Sequence, residues 1–430
     1  MDSSRSVEYR DHRVAQRMKI RIHRGTQQIG GTCIEVEAQG RRIVLDLGLP
    51  LDREDSVDLV PPVAGFGEPD SNLLGVVISH PHQDHYGLAH HLPASVPVIM
   101  GESAARILAA AAQFIPGASA FQPTEYLRDR VPITMGPFTI TPYLVDHSAY
   151  DAYALLIEAA DKRLFYSGDF RAHGRKAKLF EALLREPPPD IDVLLMEGTT
   201  LGRERTDKGF ATESDLECGL MEASRDTKGL LLVLSSAQNI DRTVTLFRAC
   251  KRTGRKLIID LYAAAILAAT GNEHIPQSDW PEIRLFVPHR QRVHVKEQKL
   301  FDLLKKHSVH RIYPEQLAKL APHAALLFRG SMTEDLERAR CLDGARLIYS
   351  LWRGYLERPR MQRLSCWLER HEIPKQCIHT SGHASAADLR RFAAALAPGR
   401  VVPIHTFHSE GFDALYPTIE LKQDGEWWEA

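Results

Sequence analysis

The segment SHPHQDHYG, residues 79–87, concentrates side chains that bind metal ions. Four candidate ligands lie within six residues, directly after an apolar run at 75–78: they are His80, His82, Asp84 and His85. A loop after a strand end can turn the first two toward one ion and the last two toward a second. The alternative is a solvated, histidine-rich turn. Imidazole and carboxylate groups without thiolate favour a catalytic site over a purely structural zinc site.

Two divalent ions held close together have a definite chemistry. They can share a hydroxide, lower the pKa of water from about 15.7 toward neutrality, and neutralise charge on the oxygens of the attacked group. The segment therefore predicts a hydrolase that uses two divalent ions, with Zn²⁺ as the first choice and Mn²⁺ as the second.

The rest of the chain must supply elements that position these ligands. Short strand-like runs separated by Gly, Pro or charged residues dominate up to about residue 201, and one alanine-rich helix is predicted at 102–113. From 202 onward helical and strand-like segments alternate, which is typical of a parallel sheet flanked by helices. We therefore predict an α/β protein with an N-terminal extension at 1–18, a β-rich metal domain at 19–201 and 361–430, and an α/β insert at 202–360.

The motif H-x-H-x-D-H followed by Gly resembles the second motif of the metallo-β-lactamase superfamily, and other motifs of that family follow in order. Asp46 in IVLDLG resembles the first motif and His147 in LVDHSAYDAY the third. Asp169 in FYSGDF resembles the fourth, and His405 in VVPIHTF resembles the last histidine. The resemblance implies the αββα sandwich of that superfamily.

The same resemblance implies how the metal ions are held. One ion takes three histidines: His80, His82 and His147. The other ion takes a mixed set: Asp84, His85 and His405. Asp169 bridges the two ions, and Asp46 shapes the site without binding metal.

Two further motifs resemble the β-CASP branch of the superfamily, particularly RNase J. Glu197 in LLMEGTT closes a strand where the α/β insert begins, and His383 lies in IHTSGHAS after it. Members of this branch are nucleases that act on RNA or DNA, so the resemblance implies a nuclease, with exonuclease action included, on RNA or single-stranded DNA. Its catalytic residues are then Asp84, Glu197 and His383, the last of which protonates the leaving oxygen or binds a phosphate. The alternative for Glu197 is a structural acid at a strand end.

Other residues are candidates for phosphate contacts. Ser381 and Gly382 are expected at the start of a helix, whose N-terminus can bind an anion, although Ser381 is equally a simple helix-start signal. A basic run follows Asp169 and supplies Arg171, Arg175 and Lys176. A second basic run lies at 289–299. The alternative for either run is a solvated charged face.

The sequence departs from RNase J in three places. Many relatives carry H-G-E at the last histidine, where this chain has His405-Thr406-Phe407. We expect no room for the extra C-terminal domain of RNase J. The segment FRGS at 328–331 only partly matches the expected Gly-Ser-rich segment.

Composition indicates the cellular compartment of the protein but does not identify its substrate. The net charge of −1 neither supports nor excludes a local nucleic-acid cleft. Six cysteines without a C-x-x-C pair predict small buried side chains in a reducing cytosol, and hence a cytoplasmic protein. No run approaches the roughly 20 apolar residues of a membrane helix, so no membrane partner is expected. A homodimer is left open.

Two functions compete with the nuclease. One is a hydrolase of a small ester, lactone or nucleotide that uses the insert as a lid. The other is a pseudo-enzyme that serves as a nucleic-acid-binding or assembly subunit, against which the full ligand set argues.

Overall fold

The computed structural model describes residues 17–115, 122–202 and 208–430. The predicted N-terminal extension lies outside the described residues except at its end. Within these ranges the strands form three sheets. The first has seven strands and the second has six, and both lie near the predicted metal motifs. The third has seven strands and lies in the predicted insert.

The first sheet has seven strands. In spatial order they are β20 (Trp427–Glu429), β1 (Met18–Arg24), β2 (Cys33–Ala38), β3 (Arg41–Leu45), β4 (Leu73–Val77), β5 (Val98–Gly101) and β6 (Glu125–Leu127). The first four pair antiparallel, and β3 to β6 pair parallel. The parallel part brings the carboxyl ends of β3 and β4 side by side.

The second sheet has six strands. In spatial order they are β19 (Arg400–Ile404), β11 (Val193–Glu197), β10 (Lys162–Tyr166), β9 (Ala152–Ala159), β8 (Phe138–Val145) and β7 (Ile133–Met135). Strands β10, β11 and β19 are parallel neighbours. Their carboxyl ends therefore open at one edge of the sheet.

These two sheets pack face to face. One core lies between them, with Ile34 and Val36 of β2 against Leu155 and Ile157 of β9. Helix α2 (Glu102–Ala112) covers the outer face of the first sheet, and helices α3 (Ala177–Arg185) and α12 (Ala386–Leu396) cover the outer face of the second. Helix, sheet, sheet and helix follow in layers, so the predicted αββα fold class is confirmed.

The third sheet is parallel throughout. Its order is β15 (Arg311–Ile312), β14 (Ile283–Phe286), β13 (Lys256–Ile259), β16 (Ala324–Phe328), β12 (Leu231–Leu234), β17 (Arg346–Tyr349) and β18 (Lys375–Cys377). Helices pack on both faces: α4 (Glu213–Asp226), α5 (Ile240–Thr253) and α6 (Leu261–Ala269) on one, and α9 (Pro314–Leu320), α10 (Thr333–Ala339) and α11 (Pro359–Arg370) on the other. The predicted α/β insert is therefore present.

The remaining helices are short. They are α1 (Gln83–Tyr86), α7 (His289–Glu297) and α8 (Phe301–Lys306). None of the helices in the described ranges combines the length and apolar character that crossing a bilayer requires.

Two elements after residue 360 pack with the insert. Leu364 and Trp367 of α11 lie in the core of the third sheet, and β18 pairs with β17 through Tyr349 and Cys377. We infer that the chain returns to the sandwich after Cys377, later than the predicted boundary at 360.

Local sequence explains where the insert helices begin. Thr212 caps α4 by accepting a hydrogen bond from the amide of Asp215, whose side chain bonds back to Thr212. Asn239 caps α5, which ends at Gly254 in the left-handed conformation with φ +71°. These signals fix the first residues of α4 and α5 and the end of α5.

The cysteines only partly meet the expectation. All six are free, and Cys33, Cys250 and Cys341 are buried as predicted. The other three are exposed, which contradicts the prediction of uniformly buried side chains: they are Cys218, Cys366 and Cys377. Two of them lie on outward-facing helix positions, and one lies on edge strand β18.

Candidate metal centre

Each predicted metal ligand lies just beyond the carboxyl end of a sandwich strand or in the short helix that follows one. The loop and helix after β4 carry the first four, β8 leads to His147, β10 to Asp169 and β19 to His405. Glu197 is the last residue of β11, between β10 and β19 in the sheet. The fold therefore brings five distant segments to one edge.

Three histidines form the first group of candidate ligands. One ring nitrogen each of His80, His82 and His147 lies within 4.8 Å of the others. His147 Nε2 is 3.1 Å from His82 Nδ1. His80 and His147 are buried, and His82 is partly exposed.

Two carboxylates and two histidines form the second group: Asp84, His85, Asp169 and His405. Asp169 is central, since its Oδ2 lies 3.2 Å from His85 Nε2 and its Oδ1 lies 3.5 Å from His405 Nδ1. The same Oδ2 is 3.6 Å from Nε2 of His80, in the first group. Asp169 thus stands between the groups.

Several buried atoms of these groups lack a hydrogen-bond partner. They are His80 Nε2, His85 Nε2, His147 Nδ1 and both carboxylate oxygens of Asp169. A buried polar atom without a partner costs about 1–3 kcal/mol, so a protein retains such a set only where something else satisfies it. Nitrogen and oxygen donors without thiolate are what two Zn²⁺ or Mn²⁺ ions would satisfy.

Asp46 positions the second group from behind. Its carboxylate accepts hydrogen bonds from the amide of Ser79 at 2.6 Å, from Ser79 Oγ at 2.8 Å, and from Tyr166 Oη. It lies 2.7 Å from His85 Nδ1, which leaves Nε2 of that ring facing Asp169. A carboxylate behind a metal-binding imidazole fixes both its tautomer and its orientation.

The backbone of the site is strained. Asp46 and His405 have φ values of +59° and +50°, in the left-handed region that non-glycine residues rarely occupy. Gly168, directly before Asp169, has φ +52°, and a Cβ there would lie 2.8 Å from the carbonyl oxygen of Tyr153. Strain of this kind persists only where surrounding contacts over-determine it, as at functional sites.

Burial keeps most of these imidazoles neutral. It lowers the pKa of His80 and of His147 well below the ordinary value, and that of His82 to about 4. Burial opposes ionisation of Asp169 too, yet the nearby His405, His85 and His383 hold its pKa well below the ordinary range. Neutral imidazoles around an ionised carboxylate are the protonation states in which these groups bind metal.

His383 and Glu197 adjoin this cluster. His383 Nδ1 lies 3.1 Å from Glu197 Oε2 and 3.6 Å from Asp169 Oδ2. Glu197 is fixed by hydrogen bonds from the amide of Phe170 and from Oγ1 of Thr199. Burial opposes protonation of His383, but Glu197 and Asp169 outweigh it and raise its pKa to about 8. His383 therefore favours its protonated form at neutral pH, in contrast to His80, His82 and His147. His85 resembles His383 in this respect, because Asp169 and Asp46 outweigh burial and raise its pKa well above the ordinary value.

Arg171 does not present its guanidinium to a substrate. The side chain is fully buried, with Nε 3.1 Å from Asp146 and Nη2 2.5 Å from Asp241. Glu213 of α4 lies 3.6 Å from Nη1. The predicted phosphate contact is in fact a buried ion-pair network that joins the sandwich to the insert, because Asp241 and Glu213 belong to insert helices.

Arg175 and Lys176, the other predicted contacts in this basic run, are less completely buried than Arg171. Arg175 is paired with Glu217 at 2.5 Å and bonded to Thr245, so its charge is also engaged with the insert. Lys176 is half-buried, with Nζ 3.4 Å from the carbonyl oxygen of His147 and 5.4 Å from the ring centre of Tyr150. The Lys176 ammonium is also 3.9 Å from Asp241 of the insert, and its side chain is about as exposed as that of Arg175, 19% against 18%. Lys176 is distinguished from Arg175 by its position beside the carbonyl of His147.

Ser381 does not begin the following helix. Ser385 caps α12 instead, accepting a hydrogen bond from the amide of Asp388. Ser381 Oγ accepts from the amide of His383, and its carbonyl oxygen accepts from Arg171. At Gly382 a Cβ would lie 2.6 Å from Ser148 Oγ. These residues shape the loop that carries His383, and the helix-terminus argument does not apply to them.

Comparison with known proteins agrees with this geometry. Residues 41–234 match the family described as "Beta-lactamase superfamily domain". Ribonuclease J of Sinorhizobium meliloti is 26% identical over 227 residues, which are 50% of this chain and 39% of that protein. Ribonuclease J of Helicobacter pylori is 26% identical over 251 residues, which are 56% of this chain and 36% of that protein. Residues 41–234 thus form a β-lactamase superfamily domain, and the chain is similar to the RNase J-like β-CASP branch of that superfamily.

The likeness to these curated relatives is partial in length. The matches cover 39% and 36% of the two ribonucleases. A crystal structure titled as a protein of unknown function from Enterococcus faecalis V583 superposes with a TM-score of 0.78, covering 96% of this chain and 100% of that one at 22% identity. That likeness supports the fold over almost the whole chain.

Several residues that shape the site are not among those predicted from the sequence. Ser79 and Tyr166 hold Asp46, and Thr32 places its Oγ1 3.1 Å from His405 Nδ1. Asp146 anchors Arg171 directly before His147. The position of Ser79 beside the H-x-H motif was an available signal, whereas nothing in the sequence connects Thr32 with a histidine more than 370 residues away.

Proposed function

We propose that this protein is a metal-dependent phosphodiesterase that cleaves RNA, with single-stranded DNA as a second substrate. One observation carries the proposal: Asp169 belongs both to the second metal-binding group and to a group with Glu197 and His383. A metal centre and a cationic proton donor therefore share one carboxylate. The two relatives named ribonuclease J support RNA as the substrate class.

The metal ions of the proposal are a pair of Zn²⁺ ions, with Mn²⁺ as the alternative. His80, His82 and His147 would hold one ion; Asp84, His85 and His405 would hold the other; and Asp169 would serve both. The buried ring nitrogens and carboxylate oxygens without hydrogen-bond partners support this assignment. When bound, such a pair lowers the pKa of water and neutralises charge on the phosphate oxygens.

His383 supplies the proton in the proposed reaction. Water forms the new bond to phosphorus as the bond to the leaving oxygen breaks, and that oxygen leaves as an alkoxide that needs a proton. Because Nδ1 of His383 faces Glu197 at 3.1 Å, Nε2 is the ring atom turned away from this carboxylate and available to donate. The Glu197 charge keeps the ring protonated, and Thr199 and Phe170 keep Glu197 in place.

Lys176 is the proposed contact to the sugar–phosphate backbone. Its ammonium group lies beside the carbonyl of His147, and Lys178, two residues further on, is exposed. A few such contacts suffice for a local site on a chain with a net charge of −1. Since phosphate contacts release counterions, cleavage of a polymer should weaken as salt is raised.

A cytoplasmic location is proposed on the cysteines. All six thiols are free, and three of them are exposed, which suits a reducing compartment. Assembly as a homodimer stays a prediction.

The proposal is tested with end-labelled RNA and single-stranded DNA, incubated with the metal-loaded wild type and with Asp84→Ala. We expect the wild type to cleave these substrates. Asp84→Ala should cleave them more than about 100-fold more slowly, because the loss of a metal ligand should cost more activity than the loss of a residue that hydrogen-bonds to a ligand. Asp302→Ala, which removes an exposed carboxylate on the insert, serves as the matched control and should cleave like the wild type.

Two outcomes would contradict the proposal. One is that wild type and Asp84→Ala leave both polymers equally intact with Zn²⁺ and with Mn²⁺. The other is hydrolysis of a small ester or lactone without any cleavage of a phosphodiester, which would favour the small-substrate hydrolase.

A further inference from the structure

A second cluster of metal-binding side chains lies outside the central groups. Asp55 is on the loop between β3 and β4, and His90 and His91 are in the short 3₁₀ helix Ala89–His91 that follows α1. His90 Nε2 is 2.9 Å from Asp55 Oδ2, and His91 Nε2 is 2.8 Å from Asp55 Oδ1. Two consecutive histidines thus converge on the two oxygens of one carboxylate.

The three side chains are close enough together to share one cation. The two imidazole rings lie 4.0 Å apart, centre to centre. An imidazole in its neutral form offers a ring-nitrogen lone pair to a cation. One ligand atom of each residue falls within 4.8 Å of the others, and all three side chains are between a fifth and two fifths exposed. Three protein ligands with an open, wet side are a common arrangement for Zn²⁺.

The surrounding charge favours a divalent cation. Four acidic residues and one arginine lie between Leu51 and Leu59, and the acidic residues are Asp52, Glu54, Asp55 and Asp58. Carboxylates clustered on one exposed loop raise the local concentration of cations. The two histidines then supply the nitrogen donors that select Zn²⁺ over Mg²⁺ or Ca²⁺.

The cluster joins two segments that border the central site. Leu51, on the acidic loop, fills the space that a side chain at Gly30 would need. Cβ of Asp84 borders the same space. The histidine segment is anchored to the residues that follow β3 and include Asp46, since the amide of Leu88 donates to the carbonyl of Leu47. A cation here would therefore hold the acidic loop against the segment that follows Asp84 and His85.

We infer that Asp55, His90 and His91 form a separate surface site for Zn²⁺, distinct from the central pair, which fastens the 51–59 loop beside the central site. This inference stands apart from the proposed nuclease activity, because its readout is the number of bound metal ions.

The test measures zinc content. Wild type, Asp55→Asn and His91→Ala are stripped with a chelator, reloaded with Zn²⁺, passed through a desalting column and analysed by mass spectrometry for zinc per chain. We expect the wild type to hold one equivalent more than either variant, whatever the occupancy of the central groups. His323→Ala, which removes an exposed histidine of the insert, should match the wild type.

A second measurement covers the case of a variant that folds poorly. The thermal unfolding midpoint of chelator-treated wild type should rise on adding Zn²⁺ by more than that of His91→Ala, because ligand binding to the folded state alone stabilises it. Equal zinc content in wild type and both variants, or an extra equivalent that does not survive desalting, would overturn the inference.

Discussion

The His383→Ala protein is expected to keep the zinc content of the wild type and to cleave RNA about 10²–10⁴-fold more slowly, the range that a positioned proton donor contributes. The reason is its geometry. Nδ1 of His383 is 3.1 Å from Glu197, and its pKa is raised to about 8, so the ring is a cationic donor beside the metal groups. Turnover of end-labelled RNA and zinc per chain are measured on the same preparation.

Glu197→Gln is the informative companion. The single amide oxygen can still accept from either Phe170 or Thr199, which donate to different oxygens of Glu197, and the negative charge that favours the protonated ring is gone. We expect a smaller loss of turnover than in His383→Ala, with a shift of the alkaline limb of the pH–activity profile to lower pH, because the Glu197 charge raises the pKa of the proton donor. Loss of a metal ion from His383→Ala would show instead that His383 is a ligand, since it also groups with Asp169 and Glu197 in ligand geometry.

The second large effect is expected on stability. Arg171→Met should lower the free energy of unfolding by about 3–5 kcal/mol, because removing one member of a buried ion-pair network leaves uncompensated charge. Arg171 is fully buried between Asp146 of the sandwich and Asp241 of the insert, with Glu213 also near. Urea unfolding of the metal-free proteins at neutral pH measures the difference without a contribution from bound ions.

Arg391→Met is the matched control for this substitution. Arg391 is also paired, with Glu181 at 2.8 Å, but its side chain is 47% exposed. Exposed pairs contribute about 0–1 kcal/mol, so this variant should unfold almost like the wild type. If Arg171→Met and Arg391→Met lose the same small amount, the buried network does not stabilise the junction of sandwich and insert.

The contrast between Arg171 and the candidate metal ligands shows what a sequence can reveal. His80, His82 and Asp84 follow an apolar strand directly, so both their chemistry and their position at a strand end could be predicted. Arg171 was grouped with substrate contacts because it follows Asp169 in a basic run. Its partners Asp241 and Glu213 are 70 and 42 residues away and lie on helices of another domain, and no local pattern indicates that contact.

The same limit applies to the loop of His383 and to the end of the insert. Ser381 is predicted to begin α12. Ser385, four residues later, caps the helix instead, because its side chain accepts a hydrogen bond from the amide of Asp388. The boundary at 360 is predicted from a change in the pattern of helix-like and strand-like segments. Helix α11, however, packs its apolar face on the third sheet, and only the folded chain shows that contact.

The central claim is that seven side chains enclose a pair of metal ions. Anomalous diffraction from zinc-loaded crystals, recorded on both sides of the zinc absorption edge, tests it directly. We predict two neighbouring peaks, one bounded by His80, His82 and His147 and the other by Asp84, His85 and His405, with Asp169 reaching both. A single peak, or two peaks from which His147, Asp169 or His405 is turned away, would contradict the account.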